Sequence, residues 1–305
     1  MRLLTKSDFD GVVCTSILKE LGLVDDVKFV HAKDVKDGKV SIMGTDIMVN
    51  LPFDNRCVLC FDHHSSEAEL AQLASESGKW VFDHTKKSCA RLLYEYYETT
   101  NGIKYIPKPL IDAVDVCNAA EISTGDILKP EGYVLISFIL DSRTGLGRFR
   151  DFRVGNQAMI KSLTSQLLNL SAKEILKLPD MQERVKLYKR YEKRFIAQLN
   201  KVVKVQGNIA IIDYRQESVI YPGNRFMVYV LYPEIEYSVH VIWGLRHQNT
   251  VIMPGKSITR RTGSVHIGQL CHKHEGYGVE GAGSIQCESR DSEKVLSSVL
   301  TELRR

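Results

Sequence analysis

Two short stretches of the sequence concentrate side chains that bind metals and move protons. Asp8 and Asp10 flank Phe9 and precede Gly11, and Asp62, His63 and His64 stand in a row. Where a strand turns into a helix, alternate residues can aim two carboxylates at one point, and an adjacent glycine permits a tight bend or a close backbone approach. Taken alone, Asp8 and Asp10 also read as a helix-capping carboxylate and a solvated one. The triplet favours a metal site, because three adjacent metal-competent side chains after the apolar run Cys57-Val58-Leu59-Cys60-Phe61 are hard to explain as packing. Carboxylates with imidazole suit Mn2+ or a similar divalent ion such as Mg2+ or Co2+, one or two per chain. The single C-x-x-C, Cys57 and Cys60, lies within that apolar run and has no second pair to complete a zinc site, so it reads as a core strand.

The elements that must position these residues alternate between strand-like and helix-like patterns. Met1 to Thr5, Val27 to His31, Asp46 to Asn50, Cys57 to Phe61 and Lys79 to Phe82 read as short strands. Val12 to Glu20, Ser88 to Thr99 and Pro109 to Ala120 have helical periodicity. This order predicts an α/β fold whose N-terminal sheet is mostly parallel with helices on both faces, binding ligands at the carboxyl ends of its strands. Asp8, Asp10, Asn50 and Asp62 to His64 all fall at such ends.

Three regions are expected: a metal-binding domain over 1–150, a helical connector over 151–205 and a smaller α/β domain over 206–305. In the last, Asn208 to Asp213, Phe226 to Leu231, Tyr237 to Trp243 and Thr250 to Met253 read as strands, and Ile267 to His274 and Ser292 to Leu303 as helices. A net charge of +4 among 305 residues is too mild for a protein that tracks long nucleic acid and suits a small anionic ligand. The absence of a long apolar stretch argues against a membrane span. Seven scattered cysteines fit reduced thiols and a cytoplasmic location.

The chain resembles the DHH phosphoesterases, which include RecJ exonucleases, nanoRNases, bacterial cyclic-dinucleotide phosphodiesterases and family II inorganic pyrophosphatases. The resemblance rests on Ser7-Asp8-Phe9-Asp10-Gly11 and on the triplet after Phe61, and extends to the C-terminal half. There Glu275-Gly276-Tyr277-Gly278-Val279-Glu280-Gly281-Ala282-Gly283-Ser284 is similar to the glycine-rich signature of the DHH-associated substrate-binding domain, with Val279 where that signature has histidine.

The resemblance implies metal ligation by Asp8, Asp10, His63 and Asp115, with Asp112 and Asn118 as alternative registers for Asp115. Asn50 stands where an acidic ligand bridging two metals is expected, and Lys6 near where a histidine often precedes the first aspartate. Asp62 and His64 would serve the chemistry, with His64 stabilising phosphoryl charge or assisting proton transfer, and Lys6 would be a further phosphate contact. Ser257, Arg260, Arg261, Gly281, Ala282 and Gly283 would bind substrate, and His272 and His274 are near enough in sequence to replace the missing histidine. The expected activity is metal-assisted hydrolysis of short oligonucleotides or linear dinucleotides. Alternatives are an exopolyphosphatase or pyrophosphatase-like hydrolase and a non-catalytic nucleotide-binding relative. A homodimer is compatible with all three.

Overall fold

The computed structural model describes residues 1–64, 67–68, 70–71, 78–101, 106–244 and 247–304. The chain forms two compact units, residues 1–122 with 129–189 and residues 123–128 with 190–305.

In the first unit, strands β1 (Arg2–Thr5), β2 (Asp26–Phe29), β3 (Ile47–Val49), β4 (Leu59–Asp62) and β5 (Trp80–Phe82) form a parallel sheet in the order β2-β1-β3-β4-β5. Leu3, Leu4 and all of β3 are buried, the continuous apolar pattern of parallel strands covered on both faces. The sheet grows from β1 to β2 on one side and to β3 on the other. That reversal opens a crevice outside the carboxyl ends of β1 and β3, where ligands bind in open α/β sheets.

The helices among its described residues are α1 (Phe9–Glu20), α2 (Ala32–Lys36), α3 (Cys89–Asn101) and α4 (Lys108–Asn118). After α5 (Thr124–Leu128), which belongs to the other unit, come α6 (Gly132–Leu140), α7 (Asn156–Gln166), α8 (Ala172–Ile175) and α9 (Pro179–Val202). Val13 and Ile17 of α1 share one core with Leu93 of α3, Leu110 and Val114 of α4 and Ile136 of α6. The span expected as a connector holds α7, α8 and α9, and the unit boundary falls inside α9, between Lys189 and Arg190.

The second unit is built on a mixed sheet of β6 (Val203–Gln206), β7 (Ile209–Asp213), β8 (Tyr237–Trp243), β9 (Thr250–Lys256), β10 (Tyr277–Val279) and β11 (Ala282–Cys287). Its order is β10-β11-β9-β8-β7-β6, and β7 with β8 is its parallel pair. Tyr237, Val239 and Val241 alternate onto the core face, where they meet Ile267 and Leu270 of α11 (Ile267–His272) and Val299 of α12 (Ser292–Leu303).

One element expected as a strand has another form. Phe226 to Leu231 is a helix, α10 (Met227–Leu231), instead of a strand. Such a short apolar run carries no decisive period. Here Asn224 Oδ1 accepts from the Phe226 amide at 3.0 Å and the Asn224 carbonyl from Met227 at 3.0 Å, starting a turn that ends before Pro233. The glycine-rich segment is a hairpin, with Tyr277, Gly278 and Val279 paired to Ser284, Gly283 and Ala282. Among the described residues no helix is long and apolar enough to cross a membrane.

Candidate active site

Strand β1 leads through Lys6 into α1, whose first residues are placed by Asp8. Asp8 is the N-cap of α1, and its Oδ1 accepts from the Gly11 amide at 3.0 Å, a contact worth about 1 kcal/mol. Gly11 is required for space: a Cβ there would lie 2.1 Å from the Lys6 carbonyl oxygen. The capping reading thus holds for Asp8, but Asp10 is not solvated. Its side chain is buried, with Oδ2 accepting from Cys89 N at 3.0 Å and Oδ1 from Ala90 N at 2.8 Å. These amides open α3, where helix N–H groups have no partner within the helix. Burial, reinforced by Asp8, still pushes the Asp10 carboxyl up to about 7, against the pull of those amides and of Lys6.

Asp62 closes β4 and delivers the two imidazoles. His64 Nδ1 lies 2.6 Å from Asp62 Oδ1, and Lys6 Nζ lies 3.2 Å from His64 Nε2. An ammonium only donates, so Nε2 carries the lone pair and Nδ1 carries the proton given to Asp62. His63 Nδ1 is 3.0 Å from the Lys86 carbonyl, which can only accept, so its proton also sits on Nδ1. His63 Nε2 therefore presents a lone pair 3.7 Å from Asp10 Oδ2. Burial lowers the pKa of both histidines, His64 most strongly, and raises Asp62 to about 6.

Asn50 follows β3 in the left-handed region, with φ 59°, a conformation that asparagine tolerates better than most residues. Its Nδ2 donates to Asp8 Oδ1 at 3.2 Å, while its buried Oδ1 has no hydrogen-bond partner. Asp115 on α4 is held by Ser88 Oγ at 2.7 Å and Arg91 Nε at 2.8 Å. Arg91 also binds Asp112. From the same helix Asn118 Nδ2 reaches His63 Nε2 at 3.3 Å and the Lys87 carbonyl at 2.9 Å.

Among the described residues no three His, Cys, Asp or Glu side chains form a ready-made metal cage. The donors nevertheless fit a divalent cation. Asp10 is a buried carboxylate with its charge incompletely balanced, His63 Nε2 is a neutral imidazole lone pair and Asn50 Oδ1 is an orphaned buried acceptor. Oxygen and imidazole donors suit a Mn2+- or Mg2+-like ion; Cys14 Sγ lies 3.6 Å from Asp10 Oδ1, but burial pushes its pKa well up and keeps it a thiol, and Cys57 and Cys60 are buried thiols of the apolar run.

In the second unit the expected substrate residues are more fully accounted for by packing. Ser257 Oγ accepts from Arg260 N at 3.2 Å, Arg260 Nη1 donates to the Glu234 carbonyl at 2.7 Å and Arg261 Nε to the Ile258 carbonyl at 3.0 Å. A Cβ on Gly283 would meet Cys271 Sγ at 2.3 Å, whereas one on Gly281 meets nothing within 4 Å. Gly281 and Ala282 lie at the turn of the hairpin, and His274 Nε2 is 3.3 Å from Ser298 Oγ.

No protein-family model matches the sequence, and no curated protein does. Among solved structures, the pGpG-specific phosphodiesterase PggH from Vibrio cholerae is 38% identical, with 99% of this chain and 98% of that chain covered and a TM-score of 0.74. The chain belongs to the DHH phosphoesterase family. The DHH domain of a member of a ribosomal-protein family shares the fold at 13% identity, covering 99% of this chain and 86% of that one with a TM-score of 0.58. RecJ from Thermus thermophilus, solved in complex with Mn2+, aligns at 15% identity over 100% of this chain and 52% of that one, with a TM-score of 0.48.

This DHH phosphoesterase also carries a cation near the site that the sequence reading missed. Arg143 lies in a 3-10 turn after α6, donating through Nε to Asp141 at 2.8 Å. Partial desolvation of its head group works against the charge of this exposed side chain, but Asp141 and, at longer reach, Asp8 raise its pKa. The one sequence signal was the turn itself, Asp141-Ser142-Arg143-Thr144-Gly145, closed by Gly145 at φ 87°.

Proposed function

We propose that the protein is a metal-dependent phosphodiesterase that hydrolyses short oligonucleotides or linear dinucleotides at the crevice of its first unit. The observation that carries this reading is the 38% identity to a pGpG-specific phosphodiesterase over 99% of the chain. Asp10, His63 and Asn50 Oδ1 would hold the ion, with Asp115 and Asp8 beside them. A divalent ion there supplies polarisation of a phosphoryl oxygen and a lowered pKa for coordinated water.

The chain's own residues supply positioning and proton handling. Asp62 fixes His64 as the Nδ1–H tautomer, and burial with Lys6 keeps the ring neutral, so that its Nε2 lone pair is presented toward Lys6 and the reacting group. Lys6, with its side chain 24% exposed, and Arg143, with its side chain 41% exposed, are placed to bind phosphate oxygens. In the second unit, Gly281 and the exposed Arg260 and Arg261 support a substrate-binding role. A cytoplasmic location fits the seven free cysteines.

The test is hydrolysis by purified protein, with Mn2+, of linear dinucleotides, longer oligonucleotides, polyphosphate and pyrophosphate. Turnover of dinucleotides ahead of the other substrates supports the proposal. Turnover of anhydrides alone overturns the substrate class, and tight nucleotide binding without turnover overturns the activity. Light scattering on the same sample decides between a monomer and a homodimer.

A further inference from the structure

The site contains two carboxylate–imidazole pairs, and they are not equivalent. Around Asp8 and the Nε2 of His64 the donors include a positive charge, while Asp62 Oδ1 takes the proton of His64 Nδ1. Gly11 N lies 3.0 Å and Asn50 Nδ2 3.2 Å from Asp8 Oδ1, and Lys6 Nζ lies 3.5 Å from Asp8 Oδ2 and 3.2 Å from His64 Nε2. Around Asp10 and His63 the donors are neutral: the Cys89 and Ala90 amides bind Asp10, and Asn118 Nδ2 lies 3.3 Å from the His63 Nε2 that stands 3.7 Å from Asp10 Oδ2. Because the Asp8 carboxylate only accepts, the amide nitrogen of Asn50 must face it, which leaves the buried Oδ1 without a partner.

We propose that the Lys6 ammonium is a built-in substitute for a second metal ion, so that the Asp10–His63 half takes one divalent cation and the Asp8–His64 half takes none. An ion in the second half would need the Asp8 Oδ2 and His64 Nε2 lone pairs, and both face Lys6 Nζ within 3.5 Å. It would also meet the repulsion of a positive charge at contact distance, with Arg143 adding to the same field. The same ammonium gives the phosphate a fixed positive partner that no chelator removes.

This inference rests on the metal-dependent reading above, and the count of bound ions separates the two. Metal-stripped full-length protein, saturated with Mn2+ and freed of excess, is analysed by mass spectrometry for Mn per chain and by electron paramagnetic resonance. The parent should hold one ion with an isolated Mn2+ spectrum. The double variant Lys6→His with Asn50→Asp, which replaces the ammonium by an imidazole and the amide by a carboxylate, should hold two, with a spin-coupled signal. Lys6→Met, which removes the charge alone, should keep the first ion and open a second, weaker site.

Two tightly bound ions in the parent overturn the Lys6 role and leave the phosphodiesterase reading standing. No bound ion in the folded parent overturns both. One ion in the parent with no second site in a folded Lys6→Met or Lys6→His/Asn50→Asp protein shows that something other than Lys6 sets the count, and overturns the inference alone.

Discussion

Asn50 donates from Nδ2 to Asp8 Oδ1 across 3.2 Å and leaves its own Oδ1 buried without a partner. An unpaired buried amide oxygen costs about 1–3 kcal/mol, a cost that a ligand using it would offset. Glycine accepts the 59° φ of this position and removes the oxygen. Asn50→Gly should therefore change the stability of metal-free protein by less than about 1 kcal/mol while weakening Mn2+ binding about tenfold or more. Calorimetric titration with Mn2+ measures the second effect, and an unchanged Kd would remove Asn50 from the ligand set.

The Asp10–His63 pair makes a sharper demand. Asp10→Ala and His63→Ala should each abolish tightly bound Mn2+ and hydrolysis. The two differ in stability. Asp10→Ala strands the Cys89 and Ala90 amides at the start of α3 and should lower stability by about 1–3 kcal/mol, without loss of the fold. Metal content with a denaturant melt of each variant checks both statements. Parent-like metal content in either would place the ion elsewhere.

The strands of the first unit were legible because the apolar runs are short and end in polar residues, and Asp8, Asp10, Asn50 and Asp62 to His64 do gather at strand ends. Their partners were not legible. The amides that hold Asp10 are 79 and 80 residues away, and Lys6 reaches His64 across 58, separations that no local pattern records. The register on α4 was ambiguous for a geometric reason: Asp112, Asp115 and Asn118 are spaced by three and share a helix face. Their side-chain contacts differ, with Arg91 taking Asp112 and Asp115 while Asn118 meets His63. In the second unit the glycines suggested a phosphate cradle, because sequence does not reveal which glycine is small to admit a ligand and which to admit a neighbouring side chain.

Metal-free protein should lose stability as pH rises past neutrality. Asp10, at about 7 against an ordinary 3.8, binds its proton more tightly folded than unfolded, so its contribution is complete below about pH 4 and is lost as pH rises through 7. Asp62, raised to about 6, acts in the same sense. The lowered pKa values of His63 and His64 act oppositely, removing stability as pH falls below their ordinary 6.5. Above pH 6.5 Asp10 dominates, and between there and pH 8 the loss amounts to about 1 kcal/mol, or about 2–4 °C in Tm. Thermal melts in chelator at the two pH values measure it. Asp10→Asn should flatten the difference, and an equal drop in that variant would assign the effect to another group.

The hairpin glycines separate packing from ligand approach. Gly283 pairs with Gly278, and a Cβ added to it would meet Cys271 Sγ at 2.3 Å and Cβ at 3.2 Å, inside the core that α11 makes with the sheet. Cys271 is fully buried, so Gly283→Ala should cost about 1–3 kcal/mol through overpacking and lower Tm whether or not substrate binds there. Gly281 has open space where a Cβ would go and no positive φ, so Gly281→Val should leave stability within about 0.5 kcal/mol of the parent. Any kinetic effect of Gly281→Val then reports on approach to the hairpin turn and not on folding. If the turn receives a phosphate or the end of the substrate, this variant should raise KM with kcat, Tm and Mn2+ content retained, because binding lost equally from ground and transition states appears in KM. A parent-like KM in Gly281→Val, alongside a lowered Tm in Gly283→Ala, would show that the glycines serve the hairpin's packing on α11 alone.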